Sequence, residues 1–271
     1  MDRINIENKK NNAFMIGEDL TSKSFIFDCE NSLNDYVIDI DDNVRANILI
    51  INVKENMNLS FRIGQYASLH LSILAKENAD NLKITADVDK YGEIDVYFAD
   101  FLQDQNKAKI DINLNGEESA CAWHLASLAG AKDKKEFDVS VFHNTANTYC
   151  KLDNYGVCLN QSQLTFSGVC KINNGSSGSK AHQNAKIMVF DEECKGIARP
   201  ILKIDENDIE ASHAAVVGKI NDDHLFYLTS RGLSESEAKE LITLGYLKPI
   251  LNGFDDEYIK EDITNLIEER L

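Results

Sequence analysis

The stretch 211-ASHAA-215 sets one imidazole among small residues. Small neighbours let a second backbone or surface come close. His213 therefore has three open readings: a hydrogen-bonded core residue, a metal ligand, or part of a contact with another chain. Imidazole suits the last two because its neutral ring binds metals and its proton exchanges near neutral pH. Six cysteines, Cys29, Cys121, Cys150, Cys158, Cys170 and Cys194, are scattered along the chain with no CxxC and no other metal-ligand spacing. Each reads as a small buried hydrophobe. The segment 173-NNGSSGSKAHQN-184 has the composition of a phosphate-cradling loop. It lacks the spacing of a phosphate loop and a helix after it, so it reads as a turn-rich connection between strands. No pair of acids stands out for general acid–base work.

The elements that must hold these residues are mostly short strands. Leu59, Phe61 and Ile63 alternate with polar residues, as do Leu69, Leu71 and Ile73. Leu82, Ile84, Ala86 and Val88 repeat the pattern; so do Ile110, Ile112 and Leu114, and Phe137, Val139 and Val141. Period-2 alternation puts one apolar face inward and one polar face outward. The runs are separated by turn-formers such as 55-EN-56 and 115-NG-116. Only Pro200 and Pro249 are available as prolines, so Asn, Asp and Gly must make the turns. Many short strands without intervening amphipathic helices suggest a sandwich, a barrel or a β-solenoid, and argue against a doubly wound α/β fold. No strict repeat is visible, and 118-ESACAWHLASLAG-130 reads equally as strand or short helix.

After Gly232 the period changes. Ser234 and Glu237 form an S-x-x-E capping box, and Ala238, Leu241, Ile242 and Tyr246 follow at helical spacing up to Gly245 and Pro249. A second helical stripe, Ile259, Ile263, Leu266, Ile267 and Leu271, runs to the C-terminus. These divide the chain into an N-terminal segment 1–20, a β core 21–221 and a C-terminal helical segment 222–271.

The chain has 271 residues and a formal charge of −17. That field disfavours nucleic acid and anionic membrane surfaces as partners. The opening MDRINIENKKNN lacks the apolar region of a secretory signal, and 48-ILIINV-53 is far shorter than the ~20 residues of a membrane helix. A cytoplasmic protein with free thiols is the expectation.

Residues 143–250 resemble the SufB/SufD family of iron–sulfur cluster assembly proteins. The carrying segments are 181-AHQNAKIMVF-190, 200-PILKID-205, 208-DIEASH-213, 218-GKINDD-223, 226-FY-227, 231-RG-232 and 234-SESEAKELI-242, which hold the family's order and spacing. The resemblance implies a mainly β fold: a right-handed parallel β-helix with a short C-terminal helical segment. It implies a scaffold rather than an enzyme, pairing with itself or with a SufB-like subunit, and docking a SufC-type ABC ATPase through the C-terminal helices. Within the family the chain is closer to SufD. The family's SufB cysteine and glutamate are replaced by Ile204 and Ala214, while the family histidine is kept at His213. His213 is therefore the candidate metal ligand, giving one donor to a transient iron–sulfur cluster shared with a partner chain. Neither catalytic nor resident-cofactor residues are assigned. His182 and Gln183 are expected to line the same surface or to pack inward. Arg231 and Gly232 are expected to set the turn into the tail helix, with Arg231 pairing to Asp222 or Asp223. The tail's apolar stripes are expected to exceed what capping a β-helix needs, and so to serve the ATPase. The competing classes are a carbohydrate-active β-helix enzyme and a purely structural adaptor.

Overall fold

A computed structural model describes residues 2–5, 13–17, 24–29, 34–76, 79–220 and 222–271. The alternating segments form strands β1 (Asp2–Asn5), β2 (Ala13–Ile16), β3 (Ser24–Asp28), β4 (Asp35–Ile40), β5 (Arg45–Ile51), β6 (Asn58–Ile63), β7 (Ser68–Ala75), β8 (Leu82–Val88) and β9 (Glu93–Asp100). They continue as β10 (Gln105–Leu114), β11 (Ala120–Ala129), β12 (Lys134–His143), β13 (Tyr149–Cys158), β14 (Gln163–Ile172), β15 (Ser179–Val189), β16 (Lys195–Ile204) and β17 (Ile209–Lys219). Odd strands build one parallel sheet, β1-β3-β5-β7-β9-β11-β13-β15-β17, and even strands the other, β16-β14-β12-β10-β8-β6-β4-β2. Each coil thus gives one strand to each sheet, and the chain winds as a parallel β-helix.

The inward residues of both sheets meet in one continuous core that includes Phe61, Phe98, Trp123, Phe137 and Phe166. The segment 118–130, ambiguous in sequence, is a strand. The turn after β14 is shorter than its composition suggested, because β15 already begins at Ser179. Turns are made as the scarcity of proline requires: Asn43, Asn52, Asn56, Asn81, Asn147 and Asn160 take positive φ. Stacked turns are tied coil to coil by side chains, with Asn144 donating to Asn115 at 2.8 Å and Asn173 to Asn144 at 2.7 Å. The core also holds a fully buried ion pair, Lys135 to Asp100 at 2.8 Å, completed by Ser127 and Asn106 donating to the same carboxylate.

Beyond β17 come α1 (Asp222–Ser230), α2 (Glu235–Leu247), a 3-10 helix (Lys248–Gly253) and α3 (Glu257–Glu268). The capping box forms: the Glu237 amide donates to Ser234 Oγ, and the Ser234 amide donates to the Glu237 carboxylate at 2.7 Å. α2 runs through Gly245 to Leu247, and Pro249 lies in the first turn of the 3-10 helix. α1 falls at the start of the helical segment expected over 222–271, although no apolar stripe marked it in sequence.

The tail folds back along the outer face of the nine-stranded sheet. Leu247, Ile250, Phe254, Ile263 and Ile267 pack on Leu49, Leu74, Ala99, Phe101, Ala126, Leu128, Val157 and Leu159. This corrects the expectation that the tail's stripes are surplus: the α3 stripe covers the chain's own sheet. What stays exposed in the tail is Phe226, Tyr227 and Tyr258, together with Leu241 and Leu271 from the two stripes.

Candidate functional site

β17 is the last strand of its sheet and β16 the last of the other. On β15, Ala181, Gln183, Ala185 and Ile187 are buried while the residues between them are not. Their register partners on β17 are Ala211, His213, Ala215 and Val217. Residues in register share a face, so His213 occupies an inward-facing position directly above Gln183. No further coil lies on β17, and Ser212, His213, Ala214, Ala215, Val216 and Val217 are all exposed. On β16 the inward positions, in register with Gly168, Cys170 and Ile172, are Pro200, Leu202 and Ile204. The end of the β-helix is thus an apolar rim, with Ile204 42% and Val217 45% exposed, into which one imidazole projects. Gln183 closes the floor beneath it, donating from Nε2 to the Ile201 carbonyl at 2.9 Å.

His213 is exposed among the described residues, unlike the inward residues of the preceding coils. β15 separates His182 from Gln183. They alternate on one strand and so face opposite sides of the sheet. His182 lies on the outer face, with Nδ1 2.8 Å from Ser212 Oγ and Nε2 3.8 Å from Glu210. Ala214, where the SufB glutamate would stand, is on that outer face beside Asn184, whereas Ile204 shares the inward rim with His213.

The cysteines are free, five buried and Cys194 half-buried. Three of them gather inside the coils below the rim: Cys150 Sγ lies 3.4 Å from Cys170 Sγ, and Cys121 is the register partner of Cys150. His143 Nε2 is 3.3 Å from Cys150 Sγ, and its Nδ1 is 2.7 Å from Thr148 Oγ1. Burial pushes His143 down to about 4. Burial pushes the Cys121 thiol up, and the Cys170 thiol followed by burial does the same to Cys150, so the neutral forms are held. Among the described residues no group of three or more His, Cys, Asp or Glu side chains is arranged to hold a metal ion. His213 belongs to no such group among the described residues.

At the entry to the tail, Gly232 takes φ 101° after α1, and its amide donates to the Thr229 carbonyl at 3.0 Å. Arg231 lies over the Tyr227 ring, 5.2 Å from its centroid. The Asp222 side chain lies outside the described residues. Sequence reasoning passed over a polar cluster on the outer face, His70, Asp95, Tyr97 and His124, which come from three neighbouring strands. The signal was outward-facing polar residues in adjacent coils, readable only once the register is known.

An open-ended parallel β-helix with a helical segment folded along one face is the class that fold and site define. Residues 26–246 match the family described as SUF system FeS cluster assembly, SufBD core domain, and the chain belongs to that family. Among its relatives, the iron–sulfur cluster assembly protein SufD of Bacillus subtilis is 30% identical over 159 residues, 59% of this chain and 36% of the relative. SufB of the same organism is 26% identical over 55% of this chain and 32% of its own length. A SufBD family protein of Mycobacterium bovis is 27% identical over 57% of this chain and 18% of its own length. The matches thus span about a third or less of these relatives. Among the described residues no helix is long and apolar enough to cross a membrane.

Proposed function

We propose that the chain is a non-enzymatic scaffold in SUF-type iron–sulfur cluster assembly, in which the open last coil pairs with a second chain and His213 donates one ligand to a cluster carried as cargo. The observation that carries this reading is the uncovered apolar rim around an inward-placed, exposed His213. An edge strand of 11 residues, β17, leaves backbone donors and acceptors ready to pair. Ala211 and Ala215 let a partner backbone approach. The missing donors come from the partner, a SufB-like subunit or a second copy. A shared ligand set suits a cargo that must leave, because parting the chains dismantles the site.

On the same reading the helical segment docks a SufC-type ATPase, which the family resemblance supports. Phe226, Tyr227 and Leu241 are the exposed apolar side chains of α1 and α2 that fit such a contact, since α3 is occupied by its own sheet. Family membership favours this reading over a carbohydrate-active enzyme.

His213→Ala tests it. The variant is expected to fold and pair as the wild type does, and to form far less cluster in anaerobic reconstitution of the complex. Normal cluster formation would remove His213 from the site, and unfolding or dissociation would make it a structural residue.

A further inference from the structure

The tail meets the nine-stranded sheet at one polar seat. The 3-10 helix ends at Gly253, whose carbonyl oxygen lies 2.8 Å from His70 Nε2 and accepts from Ser72 Oγ. Gly253 sits so close to the sheet that a Cβ there would fall 1.9 Å from Tyr97 Cγ. The Tyr97 ring packs against two imidazoles, 5.2 Å from His70 and 4.5 Å from His124 between centroids. His70 Nδ1 faces Asp95 Oδ2 at 3.8 Å, and His124 Nε2 faces Asp95 Oδ1 at 3.4 Å. His124 Nδ1 lies 3.7 Å from Asp153, which also holds Lys151 at 2.7 Å. From the tail, Asp255 adds a negative charge near His70. From β5, the register partner is the uncharged Asn47.

His70 meets the Gly253 carbonyl through Nε2 at 2.8 Å, and Asp95 stands 3.8 Å from its Nδ1 as a counter-ion rather than a hydrogen-bond acceptor. The imidazolium therefore gives Gly253 a charge-assisted bond backed by Asp95, whereas the neutral ring gives a weaker, uncharged one. We propose that His70 is a pH-dependent latch fastening the C-terminal segment to the β-helix, closed when its cation bridges Asp95 and the Gly253 carbonyl, and loosened when the proton leaves. This does not depend on the partners proposed above.

The electrostatics agree with the geometry. Asp95 holds His70 above its ordinary value, burial opposes this, and the Gly253 carbonyl adds to the rise. Burial pushes Asp95 up, but His124 and His70 outweigh it and lower Asp95 to about 2, so the anion persists through the working range. A histidine raised in the folded state stabilises fully below its unfolded value and loses that contribution as pH rises through the folded one. The Asp95 contribution runs the other way, present above its unfolded value and lost only as pH falls through about 2. The latch is thus closed on the mildly acidic side and opens as the medium becomes alkaline. Lys76–Asp262 holds α3 and Arg270–Asp133 holds the residues just after it to the β-helix elsewhere, so opening loosens the Gly253 end without releasing α3.

Amide hydrogen exchange on the full chain, corrected for chemical exchange and compared at about pH 6 and about pH 8.5, tests the latch. Protection of residues 248–256 is expected to fall several-fold at the higher pH, with β11 and β13 unchanged. His70→Gln keeps a neutral donor toward Gly253, so its tail protection should be low and independent of pH. A pH-independent tail in the wild type, or a wild-type pH response in His70→Gln, would overturn the proposal. Should that variant fail to fold, nuclear magnetic resonance titration of His70 in the wild type decides. A midpoint above that of a free histidine supports the latch, and one at or below it overturns the latch.

Discussion

The middle coils and the last coil are built from the same alternating pattern and end in opposite states. On β11 the inward residues Cys121, Trp123 and Leu125 are sealed by strands on both sides. On β17 the equivalent positions Ala211, His213, Ala215 and Val217 have a neighbour on one side only. Inward alternation alone therefore does not make a core; a following coil does. A sequence that keeps the pattern through its last strand and then stops winding leaves apolar positions that a second chain can complete. β15 sits between the two states, with its inward residues buried by a final coil that is itself uncovered. The outer face differs again: there the chain supplies its own cover, the C-terminal segment, seated through polar contacts rather than apolar area alone.

Substitutions that shorten inward side chains should break this comparison if the two regions are alike. Trp123 is fully buried and donates from Nε1 to Asn154 Oδ1 at 3.0 Å. Trp123→Ala should cost about 4 kcal/mol in urea unfolding, from cavity and lost contacts together. Val217→Ala, at an inward position of the open coil, should cost under about 1 kcal/mol in the unpaired chain. Equal costs would mean that the last coil is packed like the others.

His143 sharpens the same contrast by pH. It is buried and held neutral down to about 4, while the unfolded chain takes up the proton below 6.5. Stability should be complete above 6.5 and fall as pH drops toward about 4. The loss is about 3 kcal/mol by linkage. His143→Gln should flatten that slope in unfolding measurements across the window.

The seat on the outer face gives a smaller effect. Gly253→Ala places a methyl against the Tyr97 ring and should cost about 2 kcal/mol, typical of overpacking. The loss should come with faster amide exchange in the tail and intact inner coils.

Many of the strands were legible because inward alternation survives wherever one sheet face meets solvent, while the choice of a β-helix over a sandwich or barrel came from the family resemblance. Alternation failed at 118–130 for a physical reason. Ala126 and Leu128 on the outward face of β11 lie under the C-terminal segment, so both faces are buried and the period disappears. The repeat was hidden because coil length drifts: 23 residues separate the register partners Phe25 and Ile48, and 31 separate Tyr149 and Lys180. No apolar stripe marked α1, because Phe226 and Tyr227 are exposed rather than packed on a core. His213 stood out among its small neighbours, and the resemblance gave it a role, but only the register with Gln183 tells which way it faces. The His70, Asp95 and His124 cluster could not be read from spacing, since its members meet across three strands.

Sedimentation of Ala215→Arg beside the wild type tests the open coil most directly, each run alone and mixed with a SufB-type subunit. Ala215 faces inward at the rim beside His213. An arginine there is solvated in the single chain, but pairing would bury it unpaired, at a cost of several kcal/mol. The account predicts a two-chain species for the wild type in at least one of the two settings. It predicts a folded single chain for the variant in both. A two-chain species that survives the arginine, or a wild type that stays single in both settings, would contradict it.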